Sequence, residues 1–384
     1  MFGHSHSSKK LVVVADIESA SVAFAALALS NDGPATIVAS SRVSLPFEER
    51  TEDATIKGLL AGLDEAGTKL RSTLSTGPYK KSHISHIYAV LNAPWIRSKT
   101  VEASLVLSKE ERITVAMIKD CAQKAIAADT EFDHKRLVES TVVRVELNGY
   151  PTGSPEGKVA HKLAAVVLLS ECYDVMQRGV QESLARTFPD ASRTMRSGTR
   201  ALVSTIHAVS EKEKDYVALS VMGETSVIIV VRDGLISQHV IVPEGVRSIV
   251  KRISEKGMHE EVLSLLRMIE RDECSGEACD AIAASMAHAE IELARVYGEI
   301  LTKIATPIRL PCNLVLVTQD DLRPWLSKFF ARIDFTQCTV TTQPFSVFAL
   351  SQRDLEALIV SDTSTVADIG LSIAGALVNS EEQL

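Results

Sequence analysis

The chain has 384 residues, 46% hydrophobic and 23% charged, with a formal net charge of -8 at pH 7. That length exceeds one small core and implies two lobes or more, while the acidic balance argues against a nucleic-acid binder, which needs a basic surface for phosphate. No run is apolar for long enough to span a bilayer, and Met1 to Lys10 is too polar for a secretory leader, so a cytoplasmic protein is expected.

In chain order, Lys10 to Ile17 reads as a strand with one acid, Asp16, at its end. Ser19 to Leu29 follows, Asn31-Asp32-Gly33 is a hairpin signal, and Ala35 to Val43 completes a meander. Ile56, Leu59, Leu60, Leu63 and Leu70 fall at helical spacing. Ile84 to Leu91 is a strand ending at Asn92-Ala93-Pro94-Trp95, where Pro94 forces an extended or turning backbone.

A β-rich stretch, Thr100 to Leu107, then precedes a helix opened by Ser108 or Lys109, with Ile113, Met117, Ile118, Ala122, Ala125 and Ile126 on one face. Arg136 to Leu147 and Lys162 to Ser170 are strands around a turn at Asn148 to Gly153, and Tyr173 to Phe188 is a helix. This β-α-β-β-α order describes a small α+β module between two meanders.

The second meander has an apolar strand from Asp215, a small-residue turn at Met222 to Ser226, a β-branched strand, a turn at Arg232-Asp233-Gly234 and a strand from Ser237 to Val242. Two strand-turn-strand-turn-strand units about two hundred residues apart suggest duplicated lobes. Helical patterns follow at Ser248 to Met268, with a wobble at Gly257, and at Ala281 to Ile304. Strand Asn313 to Val317 reaches Thr318-Gln319-Asp320-Asp321, and helix Leu322 to Ile333 comes next. Asp354 to Ile359 and the small-residue run Ser364 to Val378, with Gly370 and Gly375, are the last segments.

The six cysteines, at 121, 172, 274, 279, 312 and 338, are scattered, and the one close pair lacks the second pair that a zinc site needs. Reduced thiols are therefore expected. His4, His6, His83 and His86 are assigned no metal.

This order of elements resembles the actin-like ATPases and, within them, the bacterial branch of the cell-division protein FtsA and the pilus-assembly protein PilM. The likeness spans Leu11 to Asn379 and rests on order and pattern more than on identical motifs; the module after Asn92 to Trp95 stands where FtsA and PilM carry an extra subdomain. It implies an α/β, actin-like (Hsp70/actin ATPase-type) two-lobed fold with duplicated β-meander cores and an FtsA-type α+β insert. The expected divisions are a first lobe at 1–97, the insert at 98–190, a second lobe at 191–350 and a return to the first lobe at 351–384.

In the family the first phosphate turn reads Asp-Ile-Gly followed by Ser or Thr, and here it is Asp16-Ile17-Glu18-Ser19. The second reads Asp-Ile-Gly-Gly-Gly-Thr-Thr-Asp, where this chain has Ser220-Val221-Met222-Gly223-Glu224-Thr225-Ser226-Val227, and Thr318-Gln319-Asp320 replaces a glycine adenosine loop. Glycines in such turns let backbone N–H groups approach phosphate. Glu18 and Glu224 bring negative side chains there instead, and two unit charges about 4 Å apart at an effective dielectric near 20 repel by roughly 4 kcal/mol. Asp16 alone is a poor magnesium site.

The resemblance implies a vestigial nucleotide cleft at Asp16, Ser19, Gly223, Thr225 and Gly370, with no cofactor, or ATP and magnesium held weakly, and no catalytic residue. It implies a scaffold that acts through protein contacts, either with the tail of a tubulin-like division protein or with a peptide of a pilus membrane protein. The membrane would be met only through a partner, since the acidic end Leu377 to Leu384 is unlike FtsA's basic amphipathic helix. Self-association, and the alternative of a nucleotide-switching ATPase that polymerises, stay open.

Overall fold

The computed structural model describes residues 10–383 apart from 31, 32, 49, 81, 211, 255–258, 272, 342 and 364. The hairpin signal at Asn31-Asp32, the wobble at Gly257, and His4 and His6 lie outside the described residues.

Two sheets share one topology. In the first, β1 (Leu11–Ile17), β2 (Ser21–Ala28) and β3 (Ala35–Ser44) form an antiparallel meander, and β4 (Ile84–Leu91) and β9 (Ser192–Ser197) extend it in parallel beyond β1. In the second, β10 (Tyr216–Val221), β11 (Ser226–Arg232) and β12 (Leu235–Val242) repeat the meander, and β13 (Asn313–Thr318) and β14 (Ser346–Ala349) repeat the parallel extension. The late strand β15 (Ile359–Ser361) returns to the first sheet and pairs with β3. Duplicated meanders and the actin-like α/β architecture are thus present.

The apolar runs of β1 and β10 follow from burial on both faces. Val12 and Val14 point with Tyr216 and Ala218 into a central core that also holds α4 (Gly198–Val209) and α9 (Ile369–Glu382). Val13, Ala15 and Ile17 point outward under α1 (Glu52–Thr76). Beyond the second sheet lie α5 (Val246–Ser254), α6 (His259–Glu270), α7 (Glu277–Ala305) and α8 (Arg323–Arg332). Helix and sheet layers therefore alternate, with α4 and α9 between the two sheets.

The helix α9 shows how the sequence permits this. Asp368 caps it by accepting the Leu371 N–H at 2.9 Å, and Ile369 to Asn379 are all buried. Small residues let it approach: a Cβ on Gly375 would stand 2.3 Å from Ile359 Cδ1. Burial of Leu371, Leu377 and Val378 contributes roughly 1.5–3 kcal/mol each.

The third sheet has the order β5 (Ile96–Arg112), β8 (Val159–Cys172), β6 (Leu137–Leu147) and β7 (Tyr150–Pro151). α2 (Val115–Ala128) covers one face, where Cys121, Ala122 and Ala125 meet Leu163, Ala165 and Val167. The other face leans on the second sheet: Leu168 joins the central core, Thr100 Oγ1 donates to Ile236 O at 2.7 Å, and Arg144 pairs with Asp233 at 2.8 Å. α3 (Asp174–Thr187) packs on α1 and buries Met176, Val180 and Leu184 with Leu59 and Leu63.

Two expectations need correction. The helix expected from Ser108 or Lys109 starts at Val115, because β5 continues through a bulge to pair Glu111 with Ala160, and Thr114 is the N-cap. Within the helical pattern expected over Ser248 to Met268 the described elements are α5 and α6, and residues 255–258 between them lie outside the described residues. Cys274 and Cys279, expected as reduced thiols, are joined in a disulfide at the start of α7, with Cα atoms 5.8 Å apart. α4, β9 and β14 are elements that the sequence pattern did not reveal.

Candidate functional site

The parallel register of β1 on β4 sets Asn92 beside Asp16, and Asn92 Nδ2 donates to Asp16 Oδ1 at 2.8 Å. From β3, Arg42 reaches across β2 into the same place. Its Nη2 lies 3.1 Å from Asp16 Oδ2, its Nη1 3.6 Å from Glu18 Oε1, and its Nε 2.7 Å from Asp368 Oδ2. That last contact is an ion pair without a hydrogen bond, since Nε is buried and has no acceptor in line. Ser21 Oγ accepts from Arg42 and donates to Glu18 Oε2 at 3.2 Å.

Burial raises the pKa of both acids. Glu18 is pushed up to about 8 by burial, with Asp16 and Asp368 adding to the rise and Arg42 opposing it. Asp16 is raised for the same first reason, against the pull of Arg42. Burial acts to lower Arg42, but Glu18, Asp368 and Asp16 together outweigh it and hold the guanidinium above its ordinary value.

The three carboxylates have oxygens within 4.8 Å of one another, a spacing that suits a cation. Arg42 already stands among them. Magnesium takes a near-octahedral shell that keeps several waters, and a guanidinium in ion-pair contact with all three acids leaves no such shell.

The two phosphate-type turns touch each other. Ser19 Oγ accepts the Glu224 N–H at 2.8 Å, and a Cβ on Gly223 would stand 2.4 Å from Ala20 Cβ. The carbonyls of the second turn are already taken: Val246 N–H donates to Met222 O and Arg247 N–H to Gly223 O, each at 2.9 Å. Arg247 also pairs with Glu224 Oε1 at 3.0 Å, donates to Leu45 O and Pro46 O, and lies over the Phe47 ring at 4.8 Å. Glu224 is thereby drawn to Arg247.

All five residues singled out for the cleft meet at this junction. Asp16, Thr225 and Gly370 line one cavity of about 40 Å³, while Ser19 and Gly223 form the contact between the turns. Small-molecule pockets usually span roughly 300–1,000 Å³. A Cβ on Gly370 would come within 2.8 Å of Glu18 Oε1 and 3.1 Å of Asp16 Oδ2. The residues present therefore do not fit a magnesium-nucleotide. At the adenosine position Gln319 O accepts from Leu322 and Arg323 N–H groups, which turns the chain into α8.

Arg42 and Asp368 escaped the sequence reading. Arg42 occupies the polar end of a half-buried strand, which is an ordinary place for an arginine, and Asp368 carries the sequence signal of a helix cap only.

A second feature lies between the first and third sheets. β9 is the outer strand of the first sheet, and β6 has a partner on its outer side only at Glu146 and Leu147, where β7 pairs. Between Leu137–Val138 of β6 and Arg193–Met195 of β9 runs a groove of about 550 Å³ floored by Gln177, Gln181, Leu184 and Ala185 of α3. One end is tied shut: Glu139 accepts the Ser197 N–H at 3.0 Å and pairs with Arg200 at 2.6 Å.

No family model and no curated protein matches the chain. Solved structures do. A chain of a PilM-PilN type IV pilus biogenesis complex superposes with a TM-score of 0.57 at 14% identity, covering 98% of this chain and 98% of that one. EutJ, the ethanolamine utilization protein of Carboxydothermus hydrogenoformans, gives 0.42 at 11% identity, covering 98% and 92%. A Bacteroides thetaiotaomicron protein with an actin-like ATPase fold and unknown function gives 0.34 at 11%, covering 93% and 98%. The first likeness establishes a shared fold over nearly the whole length of both chains.

Proposed function

We propose that this protein is an actin-fold scaffold that binds an extended segment of a protein partner and serves a membrane-associated assembly of the type IV pilus kind, without nucleotide. The groove between β6 and β9 carries the reading. Two strand edges face one space, and neither is paired along that space with another strand among the described residues. An unpaired edge offers backbone donors and acceptors to an added strand, and alternate side chains of that strand then set specificity. The amides of Gln177 and Gln181 on the floor supply further polar contacts.

Support at the level of fold comes from the chain in the PilM-PilN complex. No helix among the described residues is long and apolar enough to cross a membrane, so recruitment to the inner face of the membrane falls to the partner. The junction of Asp16, Arg42 and Glu18 supplies the nucleotide-free part of the reading.

A photoreactive amino acid at Gln181, introduced in cells, tests this. The expected product is a cross-link to one short segment of a membrane protein, and that segment, synthesised, binds the purified protein with the same Kd with and without MgATP. Cross-links no more specific than those from the exposed position Lys57, or binding that needs ATP, would sink the proposal.

A further inference from the structure

We propose that Asp16, Glu18 and Asp368 form a guanidinium-binding site whose ligand is the chain's own Arg42, so that the junction is closed by an internal cation. The inference deepens the nucleotide-independent part of the proposed function and makes no use of the peptide groove.

The three acids come from separate places: the end of β1, the turn into β2 and the cap of α9. Asp16 and Glu18, two residues apart at a strand end, share one side of the chain, whereas Asp368 arrives from a distant helix cap. Carboxyl groups whose oxygens lie within 4.8 Å of one another repel when they ionise, the more so when two of them are buried. Each finds a different edge of one planar cation: Nη2 meets Asp16, Nη1 meets Glu18 and Nε faces Asp368. A guanidinium has donors on three sides in one plane, which an ammonium lacks.

The acids are also held from behind. Asn92 Nδ2 fixes Asp16 Oδ1, Ser21 Oγ fixes Glu18 Oε2, and the Leu371 N–H fixes Asp368 Oδ1, so the other oxygen of each is left for Arg42. That arrangement is a shell built for a cation of this shape. Through Asp368 it fastens the start of α9, and through Glu18 it fastens the turn whose Ser19 touches the second sheet's turn.

Replacement of the ligand is the test. Arg42→Ala should melt several degrees lower than the native chain, and methylguanidinium at millimolar concentration, far below denaturing levels, should restore most of that loss. Urea, or sodium chloride at equal ionic strength, should not. In Arg42→Ala/Glu18→Gln/Asp368→Asn the dependence on methylguanidinium should vanish. Should Arg42→Ala not fold, the triple variant decides: folding of the triple supports the site, because the unbalanced acids are then the cause, and its failure to fold overturns it. An Arg42→Ala protein that melts like the native chain overturns it, as does restoration by magnesium or manganese but not by methylguanidinium. All of these readouts omit nucleotide and peptide, so their failure leaves the groove cross-link result standing, and the reverse holds too.

Discussion

Ser19 and Glu224 lie 205 positions apart, and the side-chain oxygen of the first accepts the backbone N–H of the second at 2.8 Å. This bond joins the first turn of one meander to the first turn of the other. Ser19→Ala removes the acceptor of a part-buried N–H, and a loss of about 1–3 kcal/mol in unfolding free energy is expected. Urea denaturation checks this, and an unchanged midpoint would mean that water replaces the hydroxyl.

Gly223 and Ala20 make a steric counterpart to that bond. A methyl group at 223 would stand 2.4 Å from Ala20 Cβ, so Gly223→Ala is expected to cost about 1–3 kcal/mol. Ala20→Gly in the same chain should recover part of it. A double-mutant cycle with no coupling between 20 and 223 would show that the turns do not meet in solution.

Glu18 gives stability a pH dependence with a definite sign. Its pKa rises from an ordinary 4.5 to about 8 in the folded chain, so the stability that it contributes is complete below pH 4.5 and is lost as pH rises through 8. Every tenfold gain in proton affinity on folding corresponds to about 1.4 kcal/mol. The native chain should therefore unfold more easily at pH 8.5 than at pH 6, and Glu18→Gln should flatten that slope. Thermal melts across this range decide it; a slope unchanged in the variant would place the effect elsewhere.

Calorimetry with MgATP should show no heat of binding for the native chain. The double change Glu18→Gly, Glu224→Gly should show none either, since the contact of Gly223 with Ala20 and the cavity of about 40 Å³ are left in place. Micromolar binding by either protein would refute a cleft closed to nucleotide.

The sequence revealed the two meanders because both are punctuated by turns such as Arg232-Asp233-Gly234, and because β1 and β10 are apolar on both faces. Local pattern failed where pairing overrode it. Lys109 to Arg112 is good helix material, yet β8 holds Glu111 and Arg112 in a strand. At the site, Asp16 was visible through the turn pattern and Gly370 through the small-residue run that the family resemblance brings to the cleft, whereas Arg42 was not, because a charged residue on a strand gives no hint of where the neighbouring layers will place acids. The groove was equally hidden: it depends on which strands end up at sheet edges, a property of the assembled topology.

Helix α9 is the last of the described elements, and it fills the space between two sheets made earlier in the chain, with β15 just before it completing the edge of the first sheet. Its end is bound by Tyr88 and Lys10 through Glu382, and by Arg196 and Arg200 through Glu381. During synthesis, then, both sheets leave the ribosome when the layer that joins them holds α4 alone. A nascent chain halted ahead of Asp368 would have α4 but lack α9 and the cap that fastens it to Arg42, and would leave the inner apolar faces that carry Val12, Val14, Tyr216 and Ala218 only partly covered.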